Sequence, residues 1–232
     1  MKTTDGAAPA LTTLAPSGAV RGVALIAHGG RSRSLRRGSR LQAPALRMYP
    51  FLADLHRAGS SDGLAACQVR YRVRGYNDGD PDRDVEWALE QIGRRHGDVP
   101  VCLIGHSMGA RSALRAAGGG NVRAVAALSP WLPAGEPVTQ LAGRTVVIAH
   151  GTRDRITSPA RSLEYALRAL PVSERLCRFE VARSRHAMLE RFATWQRLVR
   201  RVVLASLGFR DWDEGLRHAF ALPPAAACRV PL

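Results

Sequence analysis

The chain has 232 residues, of which 46% are apolar and 23% charged, with a formal net charge of +15. That length accommodates one domain with a sizeable core and excludes a second full domain. The composition excludes a disordered or collagen-like chain, and no apolar run reaches the ~20 residues a membrane-spanning helix needs.

Residues 1–17 are rich in alanine, threonine and proline and lack the continuous apolar stretch of a secretory signal. They are expected to be poorly ordered, and the protein to be cytoplasmic with no membrane partner. A domain over residues 18–207 is expected to follow. Val20 to Ala27 is an apolar run that ends in His28-Gly29-Gly30, the pattern of a buried strand delivering a glycine turn. Directly after it comes the densest basic cluster, Arg31 to Arg40. Positive charge is almost wholly arginine, Lys2 being the only lysine. With abundant alanine, glycine and proline, this is the imprint of GC-rich coding, which accounts for arginine over lysine but not for the whole excess over acids. The cluster lacks the interleaved aromatics that stack bases, so a solvated loop is expected rather than a nucleic-acid site. An anion-binding protein working through Arg31 to Arg40 is the alternative from another functional class.

Phe51 to Ala58 has helical periodicity, and Leu64 to Val73 reads as a strand. Asp78 to Asp84 superficially resembles a calcium loop, but the sixth position from Asp78 is Arg83 rather than glycine, and the twelfth is Leu89 rather than glutamate. Acids at the positive end of a helix over Asp82 to Arg95 explain it better. Further on, strands are expected at Val99 to Ile104, Val122 to Leu128, Thr145 to Ala149 and Leu176 to Val181. Helices are expected at Met108 to Ala117, Ser158 to Leu170 and His186 to Leu207. Residues 208–232 lose periodicity and read as a tail. Strands alternating with helices indicate a parallel α/β sheet. Cys67, Cys102, Cys177 and Cys228 are far apart with no C-x-x-C spacing, so buried reduced thiols are expected, and neither a metal nor a cofactor.

The residues that carry chemistry begin with Gly105-His106-Ser107-Met108-Gly109. The G-x-S-x-G spacing, after an apolar strand and before a helix of small residues, places a serine on a sharp strand-to-helix turn. Glycines two before and two after the serine let strand and helix approach closely. A serine hydroxyl is a weak nucleophile and needs a base held by a carboxylate. In a parallel sheet the loops at the carboxyl ends of the strands share one edge, so partners are sought just past later strands. Asp154 follows Thr145 to Ala149, and His186 follows Leu176 to Val181. His218 is the competing histidine. His106 and His150 suit packing around the turns. For the oxyanion, Met108 is expected to supply one N–H and Gly30 the other, with Gly29 or Arg31 as alternatives.

With these residues in place, the chain resembles the α/β-hydrolase superfamily over roughly residues 20–207. Tyr71 to Asn77 and Ser129-Pro130-Trp131-Leu132-Pro133 are further similar to a group of compact actinobacterial hydrolases. The resemblance implies an α/β-hydrolase fold, a mostly parallel sheet with helices on both faces. It also implies a serine hydrolase with the triad Ser107, Asp154 and His186. The short segment between Leu128 and Thr145, with Pro130, Pro133 and Pro137, leaves no room for a lid domain. Trp131 and Leu132 are expected in the pocket wall, and Arg31 near an anionic substrate group. The expected partner is a small-molecule carboxylic ester. A thioester, peptide or amide is the alternative, because the same machinery serves all acyl transfers.

Overall fold

The computed structural model describes residues 8–232. Among them eight strands form one sheet: β1 (Ala10–Leu14), β2 (Gly22–Ala27), β3 (Leu64–Arg70), β4 (Val101–His106), β5 (Val122–Leu128), β6 (Thr145–Gly151), β7 (Arg175–Val181) and β8 (Val230–Pro231). Their order is β1-β3-β2-β4-β5-β6-β7-β8, and only β1 runs antiparallel to its neighbour. The helices are α1 (Ala43–Gly59), α2 (Asp80–His96), α3 (Met108–Arg115), α4 (Pro159–Ala169), α5 (Phe192–Ser206), α6 (Glu214–Ala221) and α7 (Pro224–Ala227).

Strand alternation builds the two layers. In β2, Val23, Leu25 and Ala27 point into one apolar cluster and Ala24 and Ile26 into the other. The first cluster includes residues of α2, α3 and α4, and the second includes residues of α1, α5 and α6. Buried on both faces, the strands read as continuous apolar runs, as parallel strands do. Helix α5 buries Trp195, Leu198, Val199, Val202 and Val203. At about 1.5–3 kcal/mol for each large side chain removed from water, that stripe is enough to seat the helix.

Several elements differ from the sequence expectation. Ala10–Leu14 forms an edge strand inside the segment expected to be poorly ordered, pairing with β3 from Ala10 against Arg70 to Leu14 against Ala66. Residues 1–7 lie outside the described residues. The expected tail contains α6, α7 and β8, with Ala219, Ala227 and Cys228 buried and β8 extending the sheet beside β7. Segments this short carry too few periods for a pattern to show. Helix α1 starts eight residues before Phe51, because Pro44 occupies its first turn, where the missing N–H costs nothing, and Pro50 is accommodated within the helix.

The topology fixes where a site can form. From β2 the chain goes to β3 on one side and then crosses to β4 on the other, so the direction of winding reverses at β2 and β4. The crevice outside the carboxyl ends of strands at such a reversal is where ligands bind in open α/β sheets.

Candidate active site

At the exit of β4 the chain turns through Ser107, whose φ of 56° and ψ of −118° lie outside the regions a side chain favours. Such a conformation costs of order 1–3 kcal/mol and persists only where the surroundings impose it. Here they do: a side chain at Gly105 would overlap the backbone of Ala110, and one at Gly109 would overlap the carbonyl groups of Ala27 and His28. The Ser107 N–H is held by the Leu128 carbonyl, and its own carbonyl accepts from Ala110, Arg111 and Trp131. Ser107 thus tops α3 with its position fixed on both sides.

Asp154 leaves β6 and is buried. Its Oδ1 accepts from the N–H groups of Ile156 (2.8 Å) and Thr157 (3.0 Å), an Asx turn that closes the loop before α4. Its Oδ2 accepts from the Thr157 hydroxyl (2.8 Å) and stands 2.8 Å from His186 Nδ1 and 3.2 Å from His150 Nε2. Burial works against its ionisation, but the hydrogen bonds from His150, His186 and the two backbone N–H groups outweigh it. The carboxyl is held well below the usual carboxylate range.

His186 comes from the β7–α5 connection. Sequence periodicity places a helix start at His186, whereas α5 begins at Phe192. Arg183, Met188 and Arg191 adopt left-handed backbone conformations that no helix continues through. The loop is anchored by Ser184, whose hydroxyl accepts from Trp195 Nε1 at 3.0 Å. The His186 carbonyl accepts from His106 Nε2 at 2.9 Å, and the two imidazole centroids are 4.8 Å apart. His106 follows Gly105 in β4 and directly precedes Ser107, so this contact brings His186 to the elbow. Burial, reinforced by the nearby His186, pushes His106 down to about 3, which keeps it neutral. Within the described residues His186 makes its hydrogen bonds through Nδ1, to Asp154 and the Thr157 hydroxyl, and Nε2 remains unengaged. His218, on α6, is exposed and far along the chain from this cluster.

On the other side of Ser107 lies the turn after β2. The register pairs Ala27 with Gly105, so a side chain at Gly29 would come within 3.4 Å of Ser107 Cβ. The Arg31 N–H is already given to the Arg74 carbonyl at 3.0 Å, which removes Arg31 as an oxyanion donor. His28 settles the direction of the next peptide. Its Nδ1 donates to the Gly29 carbonyl at 2.7 Å, while Nε2 accepts from Gln42 at 3.3 Å. In a planar trans peptide C=O and N–H point opposite ways. Fixing the Gly29 carbonyl toward His28 therefore turns the Gly30 N–H away from it. Burial pushes His28 down to about 4, so this tautomer is neutral at physiological pH.

Sequence reasoning missed the roles of Thr157, His150, His28 and Gln42. Only Thr157 left a signal, the Asp-x-x-Thr spacing of a closed Asx turn. His150, which the sequence assigned to packing, is buried against Asp154, and burial lowers its pKa. Trp131 lines a cavity of about 690 Å³ beside Tyr76 and Arg111. Leu132 does not join that wall: it is 5% exposed and packs in the core. The side chains of Arg31, Arg33, Arg36, Arg37 and Arg40 are exposed. The loop's backbone is nevertheless tied to residues 72–77 by bonds such as Gly38 N–H to Arg72 O, Arg74 N–H to Arg36 O and Tyr76 N–H to Arg31 O. All four cysteines are buried and free. No helix of the described residues is long and apolar enough to cross a membrane.

Comparison with known proteins agrees with this fold. The model of the alpha/beta hydrolase family matches residues 7–231. No curated protein matches the chain significantly. Among solved structures, the chain is similar to an alpha-beta serine hydrolase homologue from Coxiella burnetii, with 15% identity, a TM-score of 0.62, and 84% of this chain and 91% of that one covered. It is similar to a Xanthomonas campestris serine hydrolase described as having no lid, with 16% identity, a TM-score of 0.60, and coverage of 93% and 91%. An esterase from Pyrococcus furiosus aligns with 13% identity, a TM-score of 0.60, and 82% of each chain. At these identities the likeness is one of fold.

Proposed function

The chain belongs to the alpha/beta hydrolase family, and on that premise we propose that it hydrolyses carboxylic esters through an acyl-enzyme on Ser107. The observation that carries the reading is the Asp154 carboxylate 2.8 Å from His186 Nδ1, with the His186 carbonyl bonded to His106, the chain neighbour of a serine held on a strained strand-to-helix turn. An ionised Asp154 keeps the Nδ1–H tautomer of His186, leaving Nε2 as the base that removes the Ser107 proton. Ser107 Oγ then attacks the ester carbonyl. The charge that builds on the carbonyl oxygen is met by the N–H of Met108, in the first turn of α3 where N–H groups have no intrahelical acceptor, and that of Gly30. His186 hands its proton to the leaving alcohol. Water, deprotonated by the same imidazole, attacks the acyl group and releases the acid with regeneration of Ser107.

Thr157 and His150 serve as positioning residues in this scheme. Both hold Asp154 Oδ2 in line with His186, and neither touches the reacting atoms. The test is turnover of p-nitrophenyl acetate by the Ser107→Ala protein together with fluorophosphonate labelling of the unmodified chain. Loss of turnover and labelling confined to Ser107 support the reading. Full turnover by the variant would falsify it. A matched panel of ester, thioester and amide substrates then fixes the acyl class.

A further inference from the structure

The flanks of the proposed site differ in charge. Beside His186 lies a cavity of about 650 Å³ whose lining includes Arg153, Asp154, Arg155, Ile156, Arg185 and His186. Asp154 points inward, saturated by its hydrogen-bond donors, whereas Arg153 and Arg155 on either side of it are exposed. Among the described residues neither arginine has a carboxylate within ion-pair distance, and Arg185 reaches only Glu190, at 3.8 Å. The cavity beside Trp131 is balanced instead. Its Arg33, Arg83, Arg111 and Arg115 face Asp78, Asp82 and Glu86, and Arg111 and Arg115 also pair with Glu136. Uncompensated positive charge therefore lies on the His186 side.

The chemistry decides which half of the substrate occupies that side. In the proposed reaction the imidazole that took the serine proton returns it to the leaving oxygen, so the alcohol must sit against His186 while the carbonyl faces Gly30 and Met108. Resting on that reading, we propose that the His186 cleft is the leaving-group subsite and takes an alcohol bearing an anionic group, carboxylate or phosphate, through Arg153, Arg155 and Arg185. Guanidinium groups match both anions with paired N–H donors. Ile156, 75% exposed at the same cleft, offers an apolar surface to the carbon skeleton between ester and anion.

The experiment compares three acetyl esters: those of 4-hydroxybenzoate, of its neutral methyl ester, and of 4-hydroxyphenyl phosphate. Each kcat/KM is normalised to the hydroxide-catalysed rate. Exposed ion pairs are individually weak, so the expected preference for the anionic esters is about tenfold, reduced in high salt. It should fall toward unity in the Arg153→Ala/Arg155→Ala/Arg185→Ala protein. It should persist in Arg123→Ala, which removes a charge near the amino-terminal end of β5, at the opposite edge of the sheet. Retention of only the carboxylate or only the phosphate preference identifies the anion. Calorimetric binding of 4-hydroxybenzoate to Ser107→Ala, lost with the three arginines, reads the subsite without turnover. Serine-dependent hydrolysis of the neutral ester with no anionic preference overturns this inference alone, as does an unchanged ratio in the triple variant. Absence of turnover and of Ser107 labelling overturns the hydrolase reading and this inference with it.

Discussion

Replacing Asp154 with asparagine tests the site at its most constrained atom, because the structure dictates which oxygen becomes the amide. Oδ1 accepts two backbone N–H groups, from Ile156 and Thr157, and only an oxygen can stay there. The NH2 group must then take the place of Oδ2 and face His186 Nδ1. A donor against that nitrogen selects the tautomer protonated at Nε2, which can no longer accept the serine proton. The charge that stabilises the imidazolium is lost as well. Two unit charges 2.8 Å apart, at an effective dielectric constant of about 20, interact by about 6 kcal/mol. At 1.36 kcal/mol per factor of ten, that is about four orders of magnitude in kcat. Steady-state hydrolysis of p-nitrophenyl acetate at neutral pH, with active-site titration to count competent molecules, measures it. Thr157→Val is the internal control: it deletes the hydroxyl hydrogen bond but keeps the carboxylate charge. Because that bond exists in ground and transition states alike, the loss should stay below about tenfold. An Asp154→Asn protein that folds and keeps more than a tenth of the activity would refute the assignment of the His186 partner.

Gly30→Ala would place a methyl group against the Met108 side chain and 2.7 Å from the Arg74 carbonyl. The turn would have to shift by about half an ångström, and kcat should drop about 10- to 100-fold with little change in KM; an unaltered kcat means that the Gly30 peptide does not serve the oxyanion. Gly109→Ala would collide with the carbonyls of Ala27 and His28, while a methyl at Gly93 in α2 meets nothing within 4 Å. Thermal unfolding should therefore show severe loss of stability for the first and a gain of up to about 1 kcal/mol for the second; equal effects would contradict the close approach of α3 to β2. Acid should weaken the fold before it touches the carboxylates. The unfolded chain protonates His28 and His106 near the ordinary value of 6.5, whereas burial pushes the folded values to about 4 and about 3. Below pH ~6.5 the unfolded state thus binds more protons, and stability falls toward pH 4, by about 3 kcal/mol from His28 alone. The contribution from Asp154, whose pKa is depressed, is lost only below the unfolded carboxylate value near 4. Melting temperatures that stay level from pH 7 to 4.5 would contradict this account.

Sequence by itself determined the layers and where the candidate residues fall along the chain. Uninterrupted apolar runs require strands buried on both faces, and the glycines around Ser107 leave one way for strand and helix to pack. The order Ser107, Asp154, His186 follows because each residue sits just past a strand, and parallel strands deliver their exits to one edge. Such signals are local, and local patterns are what a sequence displays. Tertiary structure decided what depends on atoms meeting across the fold. It showed that Asp154 gathers His150 and Thr157 as well as His186, that His28 aims the Gly30 N–H, and that Leu132 belongs to the core. It placed Ala10–Leu14 and Val230–Pro231 on the sheet edges, where a few backbone hydrogen bonds hold strands too short to announce themselves by periodicity. It also separated arginines neutralised by distant acids, such as Arg111 by Glu136, from Arg153 and Arg155 beside His186, which among the described residues have no carboxylate within ion-pair distance. A net charge of +15 cannot make that distinction, because composition counts charges and only the fold pairs them.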